Sequence, residues 1–197
     1  FAGSGALATQ IRQGAPADVF ATADPLHTRK LFDEGLVEKP VGFAYNRVIL
    51  IVPTANPAGI RSVYDLRRSG IRLVIGATSV PVGSYTRTLL KNLGLSSVLA
   101  NVVSQESDVK GVVAKVALGE ADAGFVYVTD ALAAADQVTG ISIPVWAQPR
   151  VRYEIAILKS TTHRAEASAF VGKVRSAAGR AKLKAAGFLL APLKKAS

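Results

Sequence analysis

Short apolar runs rich in β-branched residues alternate along this chain with amphipathic helical ones, and that alternation restricts it to an α/β architecture with a largely parallel sheet. "ADVFATAD" reads as a strand ending at a polar corner, and "PLHTRKLFDEGL" as a helix with Pro25 in its first turn and Gly35 near its end. "RVILIVP" is a fully apolar strand stopped by Pro53. Ser62 and Asp65 have the spacing of a capping box for a short helix ahead of the strand "IRLVIG". "VGSYTRTLLKNLG" predicts a helix started at Gly83-Ser84 and closed by Gly94. A helix capped by Ser107 follows, then a turn at Gly119-Glu120, the strand "AGFVYV" and a helix start at Thr129-Asp130. "RYEIAILK" reads as a strand, and "HRAEASAFVGKVRSAAGRAKLKAAG" as helical with a glycine interruption.

The chain of 197 residues suffices for one large domain or for two lobes of about 100 residues, each with a core of its own. No repeat or low-complexity tether separates two halves, so lobes would be joined by short crossings. A hydrophobic fraction of 49% with 19% charged residues describes a globular protein, and no apolar run approaches the ~20 residues of a membrane span. With no cysteine there is no disulfide framework, thiol nucleophile or cysteine-containing zinc site. Methionine is absent even at position 1, which reads as a processed or partial chain. The net charge is +10, yet its excess is concentrated near the end: residues 164–197 hold eight Lys/Arg against one acid, Glu166. Without interleaved aromatics this is the pattern of a solvated basic face rather than of a nucleic-acid site.

Four corners share one design, in which small or hydroxyl residues precede a helix: Gly3-Ser4-Gly5, Val80 to Ser84, Ser107-Asp108-Val109 and Tyr127-Val128-Thr129. The first turn of a helix leaves N–H groups without intrahelical acceptors, and the helix dipole adds about half a positive charge there. Such places take anions without any lysine or arginine. Each corner taken singly is explained by ordinary N-capping. Enzymatic signatures are missing: His27 and His163 lack metalloprotease spacing, "GATSVPVG" lacks the Gly-Lys-Ser/Thr of a P-loop, and there is no G-x-S-x-G elbow.

"FAGSGALATQIRQGAPADVFATAD" resembles the signature segment of the molybdate-binding component of bacterial ABC importers. "VPVGSYTRTLLKNLGL", "ESDVKGVVAKVALGEADAGFVYVTDA" and "YEIAILK" are similar to later segments of that family, in the same order. The resemblance implies a type II periplasmic-binding-protein fold, with mixed, mostly parallel sheets and a ligand cleft between two lobes. Lobe one would comprise residues 1–46 plus 153–197, and lobe two residues 47–152. It implies oxyanion contacts at Ser4, through hydroxyl and backbone N–H, at the backbone N–H groups of Val82 and Val109, and at the Tyr127 hydroxyl. It further implies no catalysis, no cofactor, and no metal beyond molybdenum or tungsten within the oxyanion. A membrane permease is the implied partner, nucleic acid is not, and the protein would act as a monomer. Its place would be periplasmic or extracellular, free or held at the membrane by a lipid anchor.

The sequence departs from the family in two ways. The family carries a strand and helix ahead of the point where this chain starts, with another ligand serine at the corner after that strand. Lobe one is therefore expected to lack its usual first strand and helix, and this chain to bind molybdate weakly or not at all. Position 82 is valine where the family usually has alanine, which narrows the space beside its N–H. Two other readings stay open at this level: binding of another oxyanion such as sulfate, and the effector-binding domain of a LysR-type transcription regulator, which shares the two-lobed architecture.

Overall fold

A computed structural model describes residues 1–192. Eight strands run in chain order: β1 (Val19–Thr22), β2 (Val41–Asn46), β3 (Val48–Pro53), β4 (Leu73–Gly76), β5 (Val102–Glu106), β6 (Ala123–Tyr127), β7 (Val138–Ile141) and β8 (Val151–Ile157). Seven α-helices are interleaved with them: α1 (Ser4–Arg12), α2 (Pro25–Asp33), α3 (Pro81–Asn92), α4 (Val109–Ala117), α5 (Val128–Ala133), α6 (Arg164–Arg175) and α7 (Ala177–Ala185). They divide into two compact units, one of residues 1–46 and 151–192, the other of residues 47–150. The return to the first unit falls at Val151 and not at Tyr153, because β8 already pairs with β2 there, Val151 opposite Asn46.

The first unit is built on a three-stranded sheet in the order β1-β8-β2, both ladders antiparallel. Its core brings Ala8 and Ile11 of α1 and Leu31 of α2 against Phe20, Val37, Ala156 and Leu158. The i, i+3 spacing of Ala8 and Ile11 gives α1 a single apolar stripe, and Thr9, Gln10 and Arg12 stay exposed. The second unit has a five-stranded sheet in the order β5-β4-β6-β3-β7. Ile51, Val74 and Val126 of the sheet pack with Val112 and Val116 of α4 and with Ala131 of α5. Gln148 closes this unit by acting as a substitute strand. Its Oε1 accepts from the Val48 N–H at 3.0 Å and its Nε2 donates to the Val48 carbonyl at 2.8 Å.

The second sheet is mixed, as expected, whereas the first has only antiparallel ladders among the described residues, and the parallel character lies more in strand direction than in the ladders. Four strands of the second sheet point one way, with β3 reversed; in the first, β8 is reversed between β1 and β2. Each reversed strand sits inside its sheet, so only β4-β5 and β4-β6 are parallel ladders among the described residues. The reversed strands are the two that follow the crossings between units.

Helix starts differ from the sequence reading by one or two residues. α3 begins at Pro81, two residues before Gly83, because proline at the first helical position lacks only an N–H that would have no partner. α4 is capped by Asp108, whose carboxylate accepts from the Gly111 N–H at 2.9 Å, while Ser107 is exposed. α5 begins at Val128, since Asp130 reaches back from the first turn to accept from the Tyr127 N–H at 3.1 Å. The Ser62/Asp65 capping box is present, on a 3-10 turn spanning Val63–Arg67. The helical C-terminal region breaks at Ser176, not at a glycine: Ser176 is extended and caps α7 through Gly179 N–H. Gly179 is instead the contact point, where a Cβ would come within 2.4 Å of the carbonyls of Lys173 and Val174. The basic residues Lys194 and Lys195 lie outside the described residues.

Candidate functional site

Three of the four residues singled out in the sequence belong to one edge of one sheet. β5, β4 and β6 are parallel neighbours, so their C-terminal ends open on the same side, and each leads into a helix: β4 into α3, β5 into α4, β6 into α5. Val82 is the second residue of α3, Val109 the first of α4, and Tyr127 the last of β6, immediately before α5. A parallel sheet collects helix N-termini, and with them orphan amides and partial positive charge, at its carboxyl edge. Val82 and Tyr127 are buried, and Val109 packs its side chain on the core of α4 and β6. The valines thus anchor the corner through their side chains, and as first-turn residues their amides have no intrahelical acceptor.

Ser4 belongs to the other unit, at the first position of α1. It is buried, and its Oγ accepts from the Ala23 N–H, just beyond β1, at 3.3 Å. A hydroxyl that accepts at its oxygen keeps its own hydrogen for another acceptor. Gly3 precedes it with an extended backbone at φ −60°, ψ 142°, so that the chain enters α1 without a side-chain cap.

The corner at α3 holds two features that sequence reasoning missed. A Cβ on Gly83 would fall 2.1 Å from the Ala77 carbonyl oxygen and 2.2 Å from that of Gly76, so only glycine lets the first turn of α3 settle on the end of β4. Arg87 then locks the corner from below. It donates to the carbonyls of Gly76 and Gly83 at 3.1 and 3.0 Å and to Gln105 Oε1 at 2.8 Å. Its burial pulls the guanidinium below its ordinary pKa. The only sequence signal for this role is an arginine four residues after a helix-start glycine. At the α5 corner, burial pushes the Asp130 carboxyl up to about 6, and the Tyr127 N–H it accepts partly offsets that rise. His27 takes a local role, its Nδ1 2.8 Å from the Asp24 carboxylate that caps α2.

A two-unit α/β chain whose helix N-termini gather at a sheet's carboxyl edge has the design of a solute-binding protein. Residues 1–189 match the family of bacterial extracellular solute-binding proteins, to which the chain belongs, and within it the chain groups with the molybdate-binding proteins. It is 44% identical over 189 residues to the molybdate-binding protein ModA of Mycobacterium tuberculosis H37Rv, covering 95% of this chain and 71% of that one. Its fold is similar to the periplasmic molybdate-binding protein of Azotobacter vinelandii, with a TM-score of 0.84 and 26% identity across 96% of this chain and 85% of that one. The sulfate-binding protein SubI of M. tuberculosis shares the fold at a TM-score of 0.79 and 20% identity, over 94% of this chain and 73% of that one.

Proposed function

We propose that this protein captures molybdate, and tungstate with it, outside the cytoplasm and delivers it to the permease of an ABC importer. The carrying observation is the set of three helix starts on adjacent parallel strands, with Val82, Val109 and Tyr127 where lysine or arginine could have stood. Molybdate at neutral pH is a fully deprotonated tetrahedral dianion and can only accept hydrogen bonds. Neutral N–H and O–H donors suit it and leave no unpaired cation buried when the ligand is gone. In this reading Ser4 adds its hydroxyl and amide from the first unit. A ligand that engages donors of both units then favours the conformation in which both reach it. No bond of the ligand is made or broken. Sulfate has the same charge but shorter bonds to oxygen, so spacing of the donors sets the preference.

Thermal melting with each oxyanion tests the reading. Ligand at 100 times its Kd stabilises a protein by about 2.7 kcal/mol, which for a chain of this size raises Tm by roughly 5–10 °C. Molybdate and tungstate are expected to produce this shift and sulfate a much smaller one. An equal shift with sulfate would reassign the ligand, and no shift with any of the three, either for this chain or for one carrying the family's preceding strand and helix, would overturn the proposal.

A further inference from the structure

The first unit carries a concave feature that oxyanion capture leaves unused. A cavity of about 410 Å³ is bounded by Gly42, Phe43 and Tyr45 of β2, Arg152 of β8, Arg175 at the end of α6 and Arg180 in α7. Local structure explains how three arginines reach one cavity. The β2-β8 ladder shifts register between Gly42 and Ala44, and the Arg152 side chain lies against Gly42, where a Cβ would stand 2.8 Å from its Nε. The break at Ser176 turns the chain so that the last residue of α6 and the first turn of α7 border the same space. Beyond α7, Leu189 pairs with Tyr45 through two backbone hydrogen bonds of 2.8 Å, fastening the returning chain to the outer edge of β2.

The charges of this cavity are poorly compensated. Arg152 meets one carboxylate, Glu154, at 3.1 Å, and its buried Nε has no hydrogen-bond partner. Arg175 and Arg180 make neither an ion pair nor a hydrogen bond among the described residues. A solvated basic face ordinarily spreads its charges over a convex surface, whereas here three guanidiniums border a single hollow against one acid. Guanidinium forks match the oxygens of phosphate in pairs, and two uncompensated positive charges match a dianion. The volume is within the range of small-molecule pockets and exceeds what a bare tetrahedral ion fills. Phe43 supplies an aromatic wall for an organic portion, itself held edge-on by Tyr153.

We infer that this cavity binds a phosphomonoester dianion on a small organic group, independently of the site that holds the transported oxyanion. The phosphate could belong to a free metabolite or to a lipid headgroup such as phosphatidate, and the test separates the two. Phenyl phosphate is titrated by calorimetry into the full chain with molybdate present in excess, and binding to vesicles of phosphatidylcholine with and without phosphatidate is measured by sedimentation. The comparison protein is the double variant Arg175→Gln/Arg180→Gln, both changes being at exposed helix positions. Saturable phenyl phosphate binding that weakens about tenfold or more in the variant supports a soluble ligand. Phosphatidate-dependent sedimentation lost in the variant supports a lipid one. The molybdate-induced rise in Tm is expected to be the same in both proteins, which keeps this test separate from the transport reading. Absence of binding in both arms at millimolar ligand, or binding that the variant leaves unchanged, overturns the inference.

Discussion

Val109 offers a way to remove one backbone donor at the start of α4. It is the first residue of α4, and Asp108 before it is extended at φ −154°, ψ 173°, a conformation that a following proline accepts. Val109→Pro should therefore fold, losing the N–H together with part of its side-chain packing, read as a modestly lower Tm. A hydrogen bond to a charged acceptor contributes about 1.5–3 kcal/mol, so molybdate affinity measured by calorimetry should fall at least about tenfold. Asp130 makes a prediction of a different kind. Its carboxyl is raised to about 6 in the folded state, so the folded protein binds more protons there than the unfolded chain does between pH 4 and 6. Its contribution to stability is present below the unfolded value and is lost as pH rises through about 6. Asp130→Asn keeps an acceptor for the Tyr127 N–H but cannot ionise. Melts across this pH range should show the parent losing stability relative to the variant as pH rises, by at most about 1.4 kcal/mol per pH unit.

Among the elements, the corners decide how much of the molecule could be read from its letters. The more apolar strands were legible, and "RVILIVP" and "RYEIAILK" are found as β3 and β8, whereas β2, β5 and β7, whose residues mix polar and apolar types, were not read as strands. Helix starts were less legible, since Ser107 and Asp108 are both good caps and only backbone geometry selects the carboxylate that reaches Gly111. Strand direction was not legible at all, because a buried apolar strand has the same composition whichever way it runs. Gly83 illustrates a further limit: in the sequence it resembles any helix-start glycine, whereas its need for space comes from the ends of β4 packed beneath it. Gly83→Ala is expected to cost about 3 kcal/mol or more, read as a lower denaturant midpoint at unchanged slope. Asp108→Ala, which removes a cap without overcrowding, should cost about 1 kcal/mol in the same assay.

At the scale of the whole chain, length alone allowed one large domain or two lobes, and the division in two was legible only through the family resemblance, although both crossings fall beside apolar strands. Candidate site residues were legible only through long contiguous segments shared with a family, since the side chains of Val82 and Val109 advertise nothing of what their backbones can do. The edge formed by β5, β4 and β6 explains why those positions fall in different segments yet belong together. The Gln148 clamp on Val48 left no trace in the pattern, because one glutamine in a polar stretch is unremarked. Its consequence reaches beyond packing. The interior stretch 47–150 is uninterrupted, and its beginning and finish are buttoned to each other by a side-chain amide. Such a stretch is portable: expressed by itself it should give well-dispersed amide resonances and one cooperative melt, and it could be grafted into a host loop through neighbouring attachment points.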